Sequence, residues 1–357
     1  MMMTRTGAML VALMMIIGRV AGAAQGEPAI APHPVLEDRY PERRATFTGG
    51  VVSFADVVYS ALPGFRPLRL DVYAPASRST RHPLVVFIHG GGWASGHTRH
   101  SGAFENWPAV LASLSARGYV VASVEYRLSA EARFPAAIQD VKAAIRWLRA
   151  HAATYGVDET KTVVWGGSAG GQLAALAATS CGVQALEPVP PAPAPGGAPA
   201  KPRQEDRESD CVQGLITWYG IFDFATLLSQ SAAAPQQVGA APSAPSQYLG
   251  CALSDCPGNV LAAASAAHYV SPQSPPALLI HGTDDRTVPV QQSRDFYELL
   301  KSKGVAVQLV EIPNVDHSFI GPNLAVTKAA SLLALRKSFE FIDQVSGASG
   351  RPGTSAR

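Results

Sequence analysis

Charge of one sign is never concentrated in this 357-residue chain, where 29 Lys and Arg stand against 27 Asp and Glu for a formal net charge of +2. No Lys/Arg cluster forms a basic stripe, which argues against a nucleic-acid partner. Neither glycine run carries G-x-x-x-x-G-K-[ST] or G-x-G-x-x-G, so a phosphate-cradling loop is unsupported. The four cysteines and nine histidines show no cluster with metal-ligand spacing, and no metal site is expected. No internal repeat is visible. The apolar run at residues 8–17 is too short to span a bilayer. What remains is a globular composition, 47% hydrophobic, 16% charged and 8% aromatic, long enough for one large α/β domain.

The N-terminus has the layout of a signal peptide over 1–23: Arg5, the apolar stretch 8–17, then the small residues Ala21-Gly22-Ala23. The expectation is a secreted or periplasmic protein with no membrane span in the mature chain. Cleavage removes Arg5 and Arg19 and no acid, taking the net charge from +2 to 0. In an exported chain, four cysteines suggest disulfides. Cys251 and Cys256 close a very short loop, and Cys181 then pairs with Cys211 by elimination. The second pair brackets 182–210, a Pro/Ala/Gly-rich insertion. Closing a loop of that length stabilises by about 3–4 kcal/mol on the chain-entropy model.

Residues 24–50 are rich in Pro and Arg without a clear period and read as a linker or surface wrap. Strands are expected at 51–59 and 68–73, then at 84–88 and 119–124, where fully apolar runs mark strands covered on both faces. Helical spacing occupies 107–117, and 136–155 is amphipathic with Ile138, Val141, Ile145, Trp147 and Leu148 on one stripe. Further strands fall at 215–218, 277–280 and 307–312, with helices at 291–303 and 325–345. This alternation predicts an α/β fold, a mostly parallel central sheet with helices on both faces, over 51–345. Residues 346–357 read as a disordered tail. The irregular segment 222–269 is a candidate lid over the carboxyl ends of the strands, or else a surface loop with no contact to substrate.

One segment carries most of the chemistry. The strand Thr162-Val163-Val164-Trp165 runs into Gly166-Gly167-Ser168-Ala169-Gly170-Gly171, and an alanine-rich helix follows at once. A strand, G-x-S-x-G and a helix in that order make a nucleophile elbow, which lifts a serine hydroxyl above the end of a sheet. A serine hydroxyl is a poor nucleophile until a base takes its proton. Only His268, His281 and His317 follow Ser168. His317 comes just after the last predicted strand, where its ring can hang over the sheet; His281 ends a strand and anchors a turn, and His268 reads as a surface side chain. For the acid, Asp284 and Asp285 both lie in the loop after 277–280, and Asp285 is preferred. Asp284 and Asp316 then read as turn-forming carboxylates. An oxyanion needs donors, and His89-Gly90-Gly91-Gly92-Trp93 follows the strand at 84–88. Gly91, Gly92 and Ala169 are the expected amide donors, each worth about 10²–10³ in turnover. Lesser expectations are that Trp93 packs beneath this loop or walls a pocket, and that Tyr219 touches substrate. Tyr126, Arg127 and Asp140 form a polar brace with a possible Arg127–Asp140 ion pair; Glu125 has no assigned role.

Taken in order, these motifs resemble the α/β-hydrolase family, within it the bacterial esterase/lipase group carrying HGGGW, related to hormone-sensitive-lipase-like and feruloyl/acetyl-xylan esterases. The resemblance runs from about Val51 to Val345 through His89–Trp93, Tyr126-Arg127-Leu128, Phe134–Ala137, Gly166–Gly171, His281–Pro289 and His317-Ser318-Phe319. It implies Ser168 as nucleophile, Asp285 as acid, His317 as base, an oxyanion hole of Gly91, Gly92 and Ala169, and no cofactor. The expected activity is a secreted serine carboxylesterase acting on small to medium uncharged acyl or aryl esters. Alternatives are an amide hydrolase of the same fold, a polymer-directed esterase, and a non-catalytic binding module, which the presence of all three triad residues disfavours. The strands before His89 depart from the helical cap of many hormone-sensitive-lipase-like enzymes and suggest a more open pocket.

Overall fold

The computed structural model describes residues 43–77, 79–188, 203–231 and 242–347. The signal peptide at 1–23, residues 24–42 of the linker, 189–202 of the insertion, 232–241 of the candidate lid and 348–357 of the tail lie outside them. Nine strands follow in chain order: β1 (Arg43–Thr46), β2 (Val52–Ser60), β3 (Leu68–Ala74), β4 (His82–Ile88), β5 (Val120–Val124), β6 (Val157–Gly167), β7 (Gly214–Trp218), β8 (Ala277–Gly282) and β9 (Val307–Ile312). They form one sheet in the order β1-β2-β3-β5-β4-β6-β7-β8-β9. The pairings β1–β2, β2–β3 and β3–β5 are antiparallel, and from β5 to β9 every neighbour is parallel.

Alternate side chains of the central strands feed two cores, as the period of a strand demands. Leu84, Val86 and Ile88 of β4 meet α2 (Ala136–Ala150), α4 (Ala169–Thr179) and α8 (Gln291–Ser302) on one face. Val85 and Phe87 meet α1 (Trp107–Ser115) and α9 (Leu324–Val345) on the other. There Phe87, Trp107, Trp165 and Trp218 form a nest of edge-on and tilted rings with centroids 4.7–6.0 Å apart. The helix expected over 136–155 breaks at His151 into α2 and the single turn α3 (Ala152–Tyr155), which Gly156 ends at φ 76°.

Two sequence expectations need correction. Residues 43–46, read without secondary structure as part of a linker or surface wrap, are a strand on the open edge of the sheet; all four are exposed, so Arg43–Thr46 shows no apolar alternation. The segment 222–269, read as irregular, contains α5 (Phe224–Gln230), α6 (Ala244–Leu249) and α7 (Gly258–Ala264). Helices of six or seven residues are too short to show a period; caps mark two of them instead. Asp223 accepts from the Ala225 amide, and Ser243 accepts from the Ser246 amide with proline in the first turn.

Both disulfides, Cys181–Cys211 and Cys251–Cys256, are formed. The first has electrostatic company. Lys142 on α2, wholly buried, places Nζ 2.7 Å from Asp210 Oδ2 and donates to Ser180 O at 2.7 Å. Arg146 reaches the same carboxylate at 3.0 Å and pairs with Glu187, and Arg149 donates to Cys211 O at 2.7 Å. Three cations from one helix face therefore hold both ends of the 182–210 insertion.

Candidate active site

Ser168 occupies the turn from β6 into α4 with φ 56°. The turn tolerates no side chain at its flanks: a Cβ on Gly166 would lie 2.1 Å from Gly170 O, and one on Gly170 2.1 Å from Ile88 O. The Ser168 amide donates to Trp218 O at 2.8 Å, tying the turn to β7. Its hydroxyl stands over the N-terminus of α4, where the helix dipole favours negative charge.

His317 lies in the short turn after β9. Asp316 Oδ1 accepts from the His317 amide at 2.7 Å and from the Arg286 amide at 2.9 Å, while Arg286 Nε donates to Oδ2 at 2.7 Å. That pair fixes the backbone from which the ring projects. His317 Nε2 is 2.9 Å from Ser168 Oγ, and Nδ1 is 2.8 Å from Asp285 Oδ2. A carboxylate only accepts, so Nδ1 carries the hydrogen and Nε2 turns its lone pair toward the serine hydroxyl. Asp285 Oδ1 accepts from the amides of Thr287 (2.9 Å) and Val288 (2.8 Å). Burial alone would raise the Asp285 pKa; the His281 and His317 rings outweigh it and hold the carboxyl well below its usual range. Asp284, the other aspartate of this loop, is exposed and accepts from its neighbour Thr283. His268 sits in a short turn against Tyr269.

Gly91, Gly92 and Trp93 follow one another at φ 108°, 60° and 56°. The first must be glycine, since a Cβ there would approach Ser95 O to 2.3 Å. Among the described residues, the amides of Gly91, Gly92 and Ala169 have no protein acceptor, and the cavities beside Ser168 are lined by these three residues. Beneath the loop, His89 stacks on Tyr126 at 4.4 Å, and the Tyr126 hydroxyl donates to His89 O at 3.0 Å. Burial lowers the His89 pKa to about 4, so this ring stays neutral. The brace continues through Arg127, whose Nη2 is 2.8 Å from Asp140 Oδ1 while its amide donates to Oδ2 at 2.8 Å. Glu125 pairs with Arg66 at 2.6 Å.

Trp93 both packs and walls a pocket: it stacks on Tyr248 at 4.5 Å, donates Nε1–H to Gln172 Oε1 at 3.0 Å, and lines a recess of about 220 Å³ whose other walls include Ile221, Leu227, Ala244, Val288 and the polar Arg286 and Thr287. Tyr219 lies 4.7 Å from the His317 ring and lines a second cleft of about 510 Å³ with His97, His100, Ser101 and His317. The two cavities meet at Ser168. Three supports escape a sequence reading. Gln172 bridges Trp93 to Ala264 O at 2.8 Å; as a lone amide in an alanine run it was visible, but its partners are remote. Asp71, buried, binds Thr98 (2.8 Å) and Arg99 (2.7 Å) and so anchors the loop bearing His97 and His100. His281 reaches Asp285 itself, at 3.2 Å.

A mostly parallel sheet with helices on both faces and a strained serine at the β6–α4 turn places the chain in the α/β-hydrolase class. Within that class the chain belongs to the BD-FAE family, whose model matches residues 70–300. It is similar to esterase LipQ of Mycobacterium tuberculosis, 31% identical over 286 residues that cover 78% of this chain and 60% of that one. Esterase LipC of the same organism is 33% identical over 70% of this chain and 56% of its own length. The chain thus spans little more than half the length of these curated relatives. Among solved structures, a thermophilic esterase of Thermogutta terrifontis aligns at TM-score 0.60 and 27% identity, covering 85% of this chain and 94% of that one. A bifunctional GH43-CE protein of Bacteroides eggerthii aligns at TM-score 0.67 and 28% identity over 83% and 35% of the two chains.

Proposed function

We propose that this chain is a serine carboxylesterase that works through an acyl-enzyme on Ser168. The observation that carries this reading is the continuous line Ser168 Oγ–His317–Asp285, at 2.9 and 2.8 Å, beside three amides without an acceptor among the described residues. Ser168 Oγ attacks the ester carbonyl carbon as its proton passes to His317 Nε2. The carbonyl oxygen becomes an oxyanion facing the amides of Gly91, Gly92 and Ala169. Collapse breaks the bond to the alcohol oxygen, which takes the proton from His317. A water then repeats the sequence, and the acid leaves. The names of the curated relatives and the esterase titles among the solved structures support this reading.

The two cavities divide the substrate. His317 must protonate the departing alcohol, so the alcohol occupies the larger cleft that His317 lines; the acyl group is left the smaller recess, which His317 does not line. Small to medium acyl groups on a larger alcohol are the substrates this arrangement favours. The larger cleft on the alcohol side equally leaves room for an ester carried on a polymer. The apolar stretch 8–17 and four paired cysteines support export to the periplasm or beyond. No helix among the described residues is long and apolar enough to cross a membrane.

The test is turnover of p-nitrophenyl acetate and butyrate. Wild type hydrolyses both, and Ser168→Ala folds but loses the activity; equal turnover by the variant contradicts the reading. Matched anilides run alongside separate ester from amide hydrolysis.

A further inference from the structure

The line of hydrogen bonds through Ser168 does not stop at Asp285. His281, wholly buried on β8, holds Nε2 2.9 Å from Val288 O and 3.2 Å from Asp285 Oδ2. Both neighbours are acceptors only, so Nε2 carries the hydrogen and points it between them. Nδ1, 2.7 Å from Ser293 Oγ, then takes the Ser293 hydroxyl hydrogen. Oδ2 of Asp285 therefore meets two ring N–H groups, from His317 and His281, while Oδ1 is held by the Thr287 and Val288 amides. The Asp285 side chain is sealed from solvent, where a shared donor weighs more than it does in water.

We propose that His281 is a positioning residue for the Ser168 reaction, acting through Asp285: its Nε2–H takes part of the charge on Oδ2 and so keeps His317 from holding its proton too firmly. Val288 O and Asp285 Oδ2, both acceptors only, fix the tautomer this requires, and the Ser293 hydroxyl adapts to it. The proposal rests on the esterase reading above. Because the two amides on Oδ1 keep the carboxylate in place without His281, the sign of the effect is set. Loss of the second donor leaves more charge facing His317, and the imidazolium gains. The other ionisable groups around this line are Tyr219, kept protonated by burial, and the Arg286–Asp316 pair beside His317. The Arg294–Glu311 pair lies on α8 and β9, with Glu311 opposite His281 in the strand register, and His89, His97 and His100 line the cleft. The variants below leave all of these in place.

His281→Leu removes the donor, and His281→Gln returns an N–H near the Nε2 position. With p-nitrophenyl acetate, the acid limb of the kcat/KM profile should move up by about half to one pH unit in His281→Leu. Turnover at mildly acidic pH should fall about threefold to tenfold with KM unchanged, and His281→Gln should bring the limb back toward wild type. Nitrogen NMR of the histidine rings reads the same property without turnover. Wild type should show His281 as the Nε2–H tautomer, His281→Leu should show His317 titrating higher, and Ser293→Ala should keep the Nε2–H form, since its two acceptors remain. An unmoved limb in a folded His281→Leu, or a wild-type hydrogen on Nδ1, overturns the proposal. Should the leucine variant fail to fold, the wild-type spectrum decides, since a hydrogen on Nδ1 leaves Asp285 without its second ring donor. Absence of wild-type esterase activity would refute the esterase reading alone, since the spectra are independent of it.

Discussion

Replacing Asp285 by asparagine changes one atom's worth of volume and reverses the hydrogen bonding around it. Oδ1 accepts from the amides of Thr287 and Val288 at 2.9 and 2.8 Å, so the new carbonyl oxygen must take that side. The new NH₂ is then forced onto the Oδ2 side, 2.8 Å from His317 Nδ1 and 3.2 Å from His281 Nε2, both of which present hydrogens in the parent. To avoid a clash of donors, His317 must expose a lone pair at Nδ1 and move its hydrogen to Nε2. That nitrogen then donates toward Ser168 and can no longer take its proton. In a serine protease the equivalent tautomer error costs about 10⁴ in kcat, and a loss of about 10³–10⁴ is expected here. The assay is p-nitrophenyl acetate turnover at neutral pH, with circular dichroism to confirm the fold. Retention of more than about a tenth of parental kcat, against that expected loss, would refute the tautomer argument.

Three further outcomes follow from the packing. Arg127→Ala leaves the buried Asp140 carboxylate without its partner, and urea unfolding should report a loss of about 3–5 kcal/mol; a loss below about 1 kcal/mol, the range of a surface pair, would contradict the brace. Ala244→Leu adds bulk where Ala244 already lies 3.0 Å from a Cβ built on Gly92. Butyrate and longer acyl esters should then lose roughly tenfold or more while acetate changes little; uniform losses would reverse the assignment of acyl and alcohol sides. Asp210 would be raised by burial, yet Lys142 and Arg146 outweigh this and hold its carboxyl below the usual value. Such a group stabilises the fold above its unfolded pKa of about 4, and that contribution fades as pH falls further toward the folded value. Unfolding free energy measured below that pH should therefore decline less steeply in Asp210→Asn than in wild type.

What could be read from the chain was local. The run from Thr162 to Gly171 states its strand, turn and helix in consecutive residues, and the Gly90–Gly92 triplet follows an apolar strand directly, so the Ser168 turn and the glycine loop beside it can be placed without a structure. His317 and Asp285 were reachable by order along the chain, because each lies just beyond a strand end. The rest was hidden for identifiable reasons. β1 lies on an exposed edge and lacks alternation; α5, α6 and α7 are shorter than two turns. His281 gives no local sign that Asp285 curls back to it. Asp71 and Arg99 are 28 residues apart and meet only because β3 and the loop after β4 are brought side by side.

The central claim is that Ser168 becomes acylated. Rapid quenching of the enzyme during turnover of p-nitrophenyl butyrate, followed by peptide mass mapping, tests it most directly. The account predicts one butyryl group per chain on the peptide carrying Ser168, absent in Ser168→Ala. Turnover with no adduct there, or an adduct on another side chain, would contradict it.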